Sequence, residues 1–338
     1  MESIAGDIGG TKSWLAWVTG TREAGIRVRF EQIYASADFA SGEELLRRFV
    51  ADAQAGTPDC AVLALPGPVH AQRARLTNLD WTLDAAEMQT ALGIARVHFM
   101  NDFEAAAVGV ATLGADELVT LNPTPVEAEG VRAVTGAGTG LGLAFAVPCA
   151  DGHDRAFASE GGHVDFAPAD ASQVRLLERL RTRYGHVSWE RAVSGSAMRD
   201  LHAFCCEEYG APVPEAPLDG PALSEQAAAG DAVATATLDL FTDLYGAWVG
   251  NVALAYRPRG GLYVAGGIAV HLKARLQAPR FMAAATDKGR MRGVVERTPI
   301  FLVSSARLGL QGAIAAAGRS FSSRGAEAGA DVLRSNGK

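Results

Sequence analysis

Asp7-Ile8-Gly9-Gly10-Thr11 sets a carboxylate, two glycines and a hydroxyl side by side. Glycines let backbone N–H groups approach a phosphate with no Cβ in the way. A carboxylate such as Asp7 holds Mg²⁺ through water, because hard cations prefer oxygen and keep part of their hydration. A tight β-hairpin is the plainer account of the same Gly-Gly pair. Gly6 to Ser13 also reads on paper as a Walker A loop, but Thr11 stands where that loop has its second glycine. The Trp- and Val-rich sequence that follows suits a strand, whereas a Walker A loop opens a helix.

A second glycine cluster, Gly136 to Gly142, contains Gly138, Thr139 and Gly140 and fits G-x-G-x-x-G in no register. It reads as another phosphate-binding hairpin, or as a hairpin turn without a ligand. Two such hairpins facing each other would clamp a triphosphate from both sides. Asn101-Asp102-Phe103 ends a strand and opens a helix. A carboxylate there can orient a sugar hydroxyl and accept its proton as an O–P bond forms; it can equally be an N-cap. Ser159 to Asp165 places Glu160 and His163 around two glycines, a set suited to a polyol or to a polar turn. Glu190 is a further sugar contact, or a solvated acid in the first turn of a helix that Ser188 caps. Gly266-Gly267-Ile268 suits an adenosine-facing turn or a simple strand–helix connection. His70, His98, His153, His186, His202 and His271 carry no assigned role.

The elements that position these groups alternate. Strands are expected over Ser3–Ile8, Trp14–Val18, Arg27–Ile33 (at a sheet edge), Cys60–Leu65 and Arg96–Met100. Helices are expected over Gly42–Gln54, with Ser41 and Glu44 as a capping box, and over Asp84–Leu92 and Phe103–Leu113. The theme restarts with strands Val131–Thr135 and Leu143–Val147, helices Ser172–Tyr184 and Thr235–Tyr256, and strand Gly261–Ala265. Two strand–glycine-turn–strand units this far apart suggest a duplicated fold with a cleft between the copies. Glu208 to Gly220 holds three prolines and reads as a surface excursion.

Hydrophobic residues make up 48% and charged residues 20%, enough for a sizeable core. With a net charge of −7 and no basic stripe, nucleic acid and anionic membrane are not expected partners. The four cysteines, Cys60, Cys149, Cys205 and Cys206, form no C-x-x-C pair and read as free thiols. No signal peptide or apolar run of membrane length is evident, so a reducing, soluble compartment is expected.

Taken together, these motifs resemble the bacterial glucokinase family, within the actin/Hsp70/sugar-kinase superfamily, from about Ile4 to about Gly318. The resemblance implies an α/β, two-domain, duplicated ribonuclease H-like (actin-like ATPase) fold with an interdomain cleft. It places a small domain at 1–112 plus 305–320, a large domain at 113–304 and a flexible tail at 321–338. It implies ATP-dependent phosphorylation of glucose at its 6-hydroxyl, with domain closure on the substrate. Asp102 matches the family's base; Asn101, Glu160, His163 and Glu190 match its glucose contacts. Asp7, Gly9, Gly10, Thr11, Gly138, Thr139, Gly266 and Gly267 match the Mg-ATP side, with Asp7 toward the Mg²⁺. A cytoplasmic homodimer is implied. The related ROK family's cysteine-rich zinc motif has no counterpart, so no structural zinc is expected. Other readings are a kinase for another hexose and a sugar-binding paralogue with weak or no catalysis. One departure stands out: members of the family usually have Gly-Gly-Thr-Asn, a small residue, then Arg, where this chain has Gly9-Gly10-Thr11-Lys12-Ser13-Trp14. Lys12 either adds a cation near the phosphates or disturbs the nucleotide and sugar geometry.

Overall fold

The computed structural model describes residues 2–21, 25–76, 78–150, 152 and 154–319. The tail expected over 321–338 and His153 lie outside them. The chain divides into two compact units, Met1–Leu113 with the chain from Arg307 onward, and Gly114–Ala306.

The first unit is built on β1 (Glu2–Ile8), β2 (Lys12–Thr21), β3 (Gly25–Ala35) and β4 (Cys60–Leu65). A short ribbon, β5 (Arg73–Leu76) with β6 (Trp81–Asp84), precedes β7 (Arg96–Asn101). The main sheet runs β3-β2-β1-β4-β7. β1 pairs antiparallel with β2 and β2 with β3, while β1–β4 and β4–β7 are parallel. All six residues of β4 are buried, as an apolar strand flanked on both sides in a parallel region should be. β3 lies at the edge and is mostly exposed.

Helix α1 (Gly42–Asp52) buries Leu45, Leu46 and Phe49 against Ile4, Leu15, Trp17 and Leu63. Its cap differs from the expected box. Ser41 Oγ accepts from Glu44 N–H at 3.2 Å, but the Glu44 carboxylate reaches one residue further back, to Ala40 N–H at 2.8 Å. α2 (Ala85–Leu92) is capped by Asp84, and α3 (Asp102–Gly109) follows β7 directly. A last helix over 308–319 crosses α3 backbone to backbone. A Cβ on Gly312 would overlap Ala105 O, and one on Gly109 would lie 3.0 Å from Gly312 N.

The second unit holds β8 (Leu118–Asn122), β9 (Arg132–Ala137), β10 (Leu141–Pro148), β11 (Asp154–Ser159), β12 (Gly261–Ala265) and β13 (Ile300–Val303). Its sheet runs β11-β10-β9-β12-β13-β8. The first five strands repeat the order and the senses of the first unit's sheet, antiparallel, antiparallel, parallel, parallel. β8 is added antiparallel beyond β13.

Helices α4 (Ala171–Tyr184), α5 (Ala197–Glu208), α6 (Gly220–Ala228), α7 (Ala232–Tyr256) and α8 (Gly267–His271) cover this sheet, with further short helices after them. α7 has 25 residues, about 37 Å at 1.5 Å per residue. It buries Leu238, Phe241, Leu244, Tyr245, Trp248 and Val249, the centre of this unit's core. Each such side chain contributes roughly 1.5–3 kcal/mol on burial. Two of them also reach polar groups of β9: Trp248 Nε1–H donates to Thr135 Oγ1 at 2.8 Å, and Ala137 N–H donates to Tyr245 Oη at 3.1 Å. The strand that leads into the second glycine cluster is therefore pinned from beneath.

Candidate active site

In the first unit, β1 delivers Asp7 to the mouth of a turn closed by Gly9 N–H donating to Lys12 O at 2.9 Å. Ser36 holds the turn from the side, since its hydroxyl donates to Gly9 O at 2.7 Å and its N–H to Thr11 O at 3.0 Å. These bonds occupy carbonyls. The N–H groups of Gly10 and Thr11 take no hydrogen bond among the described residues, so they stand ready for an anion. Burial pushes the Asp7 carboxyl up to about 6, with Lys12 pulling the other way. The carboxylate lies against Gly309 at the start of the last helix. Lys12 Nζ sits 5.9 Å from the centre of the Trp14 ring and Arg307 Cζ 6.0 Å from it. The departure in sequence thus forms a cation–aromatic stack beside the turn.

Asn101 caps α3, with Oδ1 accepting from Phe103 N–H at 2.9 Å and Glu104 N–H at 3.2 Å. Glu104 closes the box by accepting from Asn101 N–H at 3.4 Å. Asn101 Nδ2 donates to Gly67 O at 2.9 Å. Asp102 is therefore not the cap, as the sequence left open; it is the first helical residue, and its Oδ1 accepts from Phe103 N–H at 2.9 Å. The helix N-terminus carries a partial positive charge that interacts favourably with a carboxylate placed there.

In the second unit, Glu160, His163 and Glu190 come together. His163 Nε2 stands 3.9 Å from Glu160 Oε2 and 3.9 Å from Glu190 Oε2. Glu190 is not a solvated first-turn acid. Ser188 makes no side-chain cap, the helix is a single 3-10 turn over Trp189–Arg191, and Glu190 Oε2 accepts from Leu141 N–H at 3.0 Å. The carboxylate lies so close to Gly140 that any Cβ there would clash with it. Asp165, from the same run, pairs instead with His186 at 2.7 Å.

The turn between β9 and β10 comprises Gly138, Thr139 and Gly140, closed by Gly138 N–H donating to Gly140 O at 2.8 Å. The N–H groups of Thr139 and Gly140 take no hydrogen bond among the described residues. Gly138 and Thr139 line a cavity of about 680 Å³, together with Gly195, Ser196, Arg199 and Gly267. Gly266 is not in its wall. It adopts φ +94°, which a glycine tolerates, and packs on Ala137 O. Pro217, Asp219 and Gly220 also line the cavity, so the segment read as a surface excursion ends as one of its walls. His271, given no role, is another lining residue and bonds Ser224 Oγ at 2.9 Å. The sequence carried no spacing signal for Gly195, Arg199 or His271. Gly67 did have one, the Pro66-Gly67-Pro68 run after a buried strand.

Among the described residues, no group of three or more His, Cys, Asp or Glu is placed to hold a metal, and no helix is long and apolar enough to cross a membrane. None of the four cysteines, all among the described residues, forms a disulfide, and Cys149 alone is exposed.

A repeated strand order, two turns with open N–H groups and a carboxylate at a strand–helix junction together define a sugar kinase of the actin-like ATPase fold. Residues 4–320 match the family model described as Glucokinase. A glucokinase from Synechocystis sp. is 38% identical, over 94% of this chain and 98% of the relative. One from Pseudomonas paraeruginosa is 34% identical, over 92% and 91%. The chain belongs to the glucokinase family. Among solved structures, glucokinase from an Antarctic psychrotroph superposes with a TM-score of 0.83 at 31% identity, covering 93% of this chain and 98% of that one. Glucokinase from Balamuthia mandrillaris in complex with glucose shares the fold, with a TM-score of 0.74 at 21% identity, over 93% and 92%.

Proposed function

We propose that this protein transfers the γ-phosphoryl group of ATP to the 6-hydroxyl of glucose, giving glucose 6-phosphate and ADP. The observation that carries the reading is the contact between two kinds of site. A carboxylate–imidazole–carboxylate cluster suited to a polyol shares Glu190 with a glycine turn that lines a cavity of about 680 Å³. Glucokinases at 34–38% identity over nearly the whole chain support the same reading.

In this reading Glu160, His163 and Glu190 hold sugar hydroxyls, the carboxylates accepting and the imidazole donating or accepting. Asn101 has one amide N–H left after capping α3 and bonding Gly67, and that N–H serves the sugar. Asp102 orients the 6-hydroxyl and takes its proton as the new O–P bond forms and the bond to the β-phosphate oxygen breaks. The open N–H groups of Gly10, Thr11, Thr139 and Gly140 stabilise charge on the phosphoryl oxygens. Gly267, Arg199 and His271 border the volume assigned to the nucleotide.

The residues present fit Mg²⁺ carried in with the nucleotide. Asp7 supplies one hard oxygen donor beside the first turn, and a site that relies on substrate phosphates and water needs few protein ligands. Burial that raises the Asp7 carboxyl also means a nearby cation would favour its ionised form. When bound, the ion neutralises charge on the phosphate oxygens. Lys12, over Trp14, supplies a further cation near the same turn. A cytoplasmic homodimer completes the reading.

The test is ADP release from Mg-ATP with glucose, mannose, fructose and no sugar, with the product identified by its 6-phosphate. Glucose should give the highest kcat/KM. A higher value with another hexose would reassign the acceptor. Glucose binding with no ADP release would make the protein a sugar sensor.

A further inference from the structure

A single strap, residues 188–199, touches the sugar cluster, the glycine turn and the cavity wall of the second unit. Its first part carries Glu190, whose Oε2 accepts from Leu141 N–H and lies against Gly140. Five residues on, Gly195 N–H donates to Gly138 O at 2.8 Å. The glycine turn 138–140 is thus held on both flanks by one short segment. Ser194 Oγ then accepts from the N–H of Ala197, the first residue of α5, at 3.1 Å. Gly195, Ser196 and Arg199 form part of the cavity wall. Core packing gives the strap little freedom: Trp189, Ala192, Val193 and Ser194 are buried, and Trp189 stacks edge-on with Phe166.

We infer that Glu190 is a positioning residue for the nucleotide as well as a sugar contact, and that through it sugar and nucleotide binding are energetically coupled. The inference rests on the assignment of the Glu160–His163–Glu190 cluster to the sugar. One carboxylate carries both duties. Oε2 fixes the N–H at the start of β10, and the same carboxylate stands 3.9 Å from His163 in the sugar cluster. Sugar hydroxyls that bond Glu190 restrict its rotamers and so firm its grip on the turn. A nucleotide that needs the turn in place then binds more tightly, and by linkage raises sugar affinity by the same factor.

The experiment is calorimetric titration of the full-length protein with MgADP, with and without saturating glucose, for wild type, Glu190→Ala and Glu190→Gln. Glutamine retains an oxygen that can accept from Leu141 N–H but loses the charge. Glu190→Ala should weaken MgADP about threefold to tenfold with no sugar present, the loss of one hydrogen bond. Glu190→Gln should restore MgADP affinity to within about twofold of wild type while glucose affinity stays low, a split that general destabilisation would not produce. Wild type should bind MgADP at least about fivefold tighter with glucose, and Glu190→Ala should lose that gain. Sugar-free MgADP affinity unchanged in Glu190→Ala, or equally weak in both variants, would overturn the inference while leaving the sugar assignment intact. Wild type that binds MgADP but no glucose would instead overturn the sugar assignment.

Discussion

Asp102 and Asn101 divide two tasks that their sequence positions alone did not separate. Asn101 does the capping, so removing the Asp102 charge should leave the helix in place. Asp102→Asn should lower kcat by about 10²–10⁴-fold, with glucose affinity and the melting temperature near wild type, in a coupled assay and a thermal melt. Asn101→Ala should instead cost about 0.5–2 kcal/mol in urea unfolding. Near wild-type turnover in Asp102→Asn would remove it as the base. Asp7 gives a prediction with a pH signature. Its folded-state pKa of about 6 lies above the ordinary 3.8, so the folded protein binds this proton more tightly than the unfolded chain. Lowering pH between those values favours folding through this group, and above about 6 its ionisation works against folding. In protein free of nucleotide and magnesium, Asp7→Asn should raise the melting temperature at pH 8. The gain should shrink through pH 6 and vanish below 3.8, while activity falls. An equal gain at all pH values would mean that charge burial is not its cause.

At the scale of elements, most of the architecture was legible because its signals are local. Period-two and period-3.6 patterns, capping residues and glycine turns fixed where many of the strands and helices lie; β4 was readable from its apolar run and α7 from its helical spacing. What escaped were the strands β5, β6, β8, β11 and β13, the helices α5 and α6, the helix over 308–319, and contacts with no local signature. Glu190 sits forty-nine positions from the Leu141 N–H it holds, and its neighbours Ser188 and Trp189 suggested an ordinary helix start. Asp219 and His271 reach the cavity only because α6 and α8 converge on it. The crossing of α3 by the last helix was equally hidden, since Gly109 and Gly312 look like any other glycines in sequence. That crossing is testable. Gly312→Ala drives a methyl into Ala105 O and should cost about 1–3 kcal/mol in unfolding. Because α3 carries Asp102 at its start, kcat should fall more than the KM for either substrate rises. Displacement of a reacting group by about 1 Å can cost on the order of 10²-fold. Unchanged stability and turnover would show that the helices part at no cost.

At the scale of the molecule, the two sheets share a five-strand order, which the sequence suggested only through its paired glycine turns. The units differ in how the chain builds them. Gly114–Ala306 is continuous and contains its own core, the glycine turn, the strap and the cavity. Expressed alone, it should unfold cooperatively in a thermal melt and bind MgADP, yet release no ADP from Mg-ATP with glucose, because Asp102 and Asp7 lie in the other unit. Failure to fold, or measurable glucose phosphorylation, would contradict this. The first unit needs two separated pieces of chain, and the second piece carries Gly312.

The divided build of the first unit places the proposed chemistry on a clock. On the ribosome, Asp102 and its helix emerge long before the segment that clamps them. At about 5–20 residues per second the wait from residue 102 to residue 312 is about 10–40 s. Through that interval α3 has a face lined by Ala105 and Gly109 with no partner helix to cover it. A nascent chain already holding a complete second unit should therefore bind nucleotide before it can turn over sugar, so that catalytic competence waits on residue 312 rather than on residue 102.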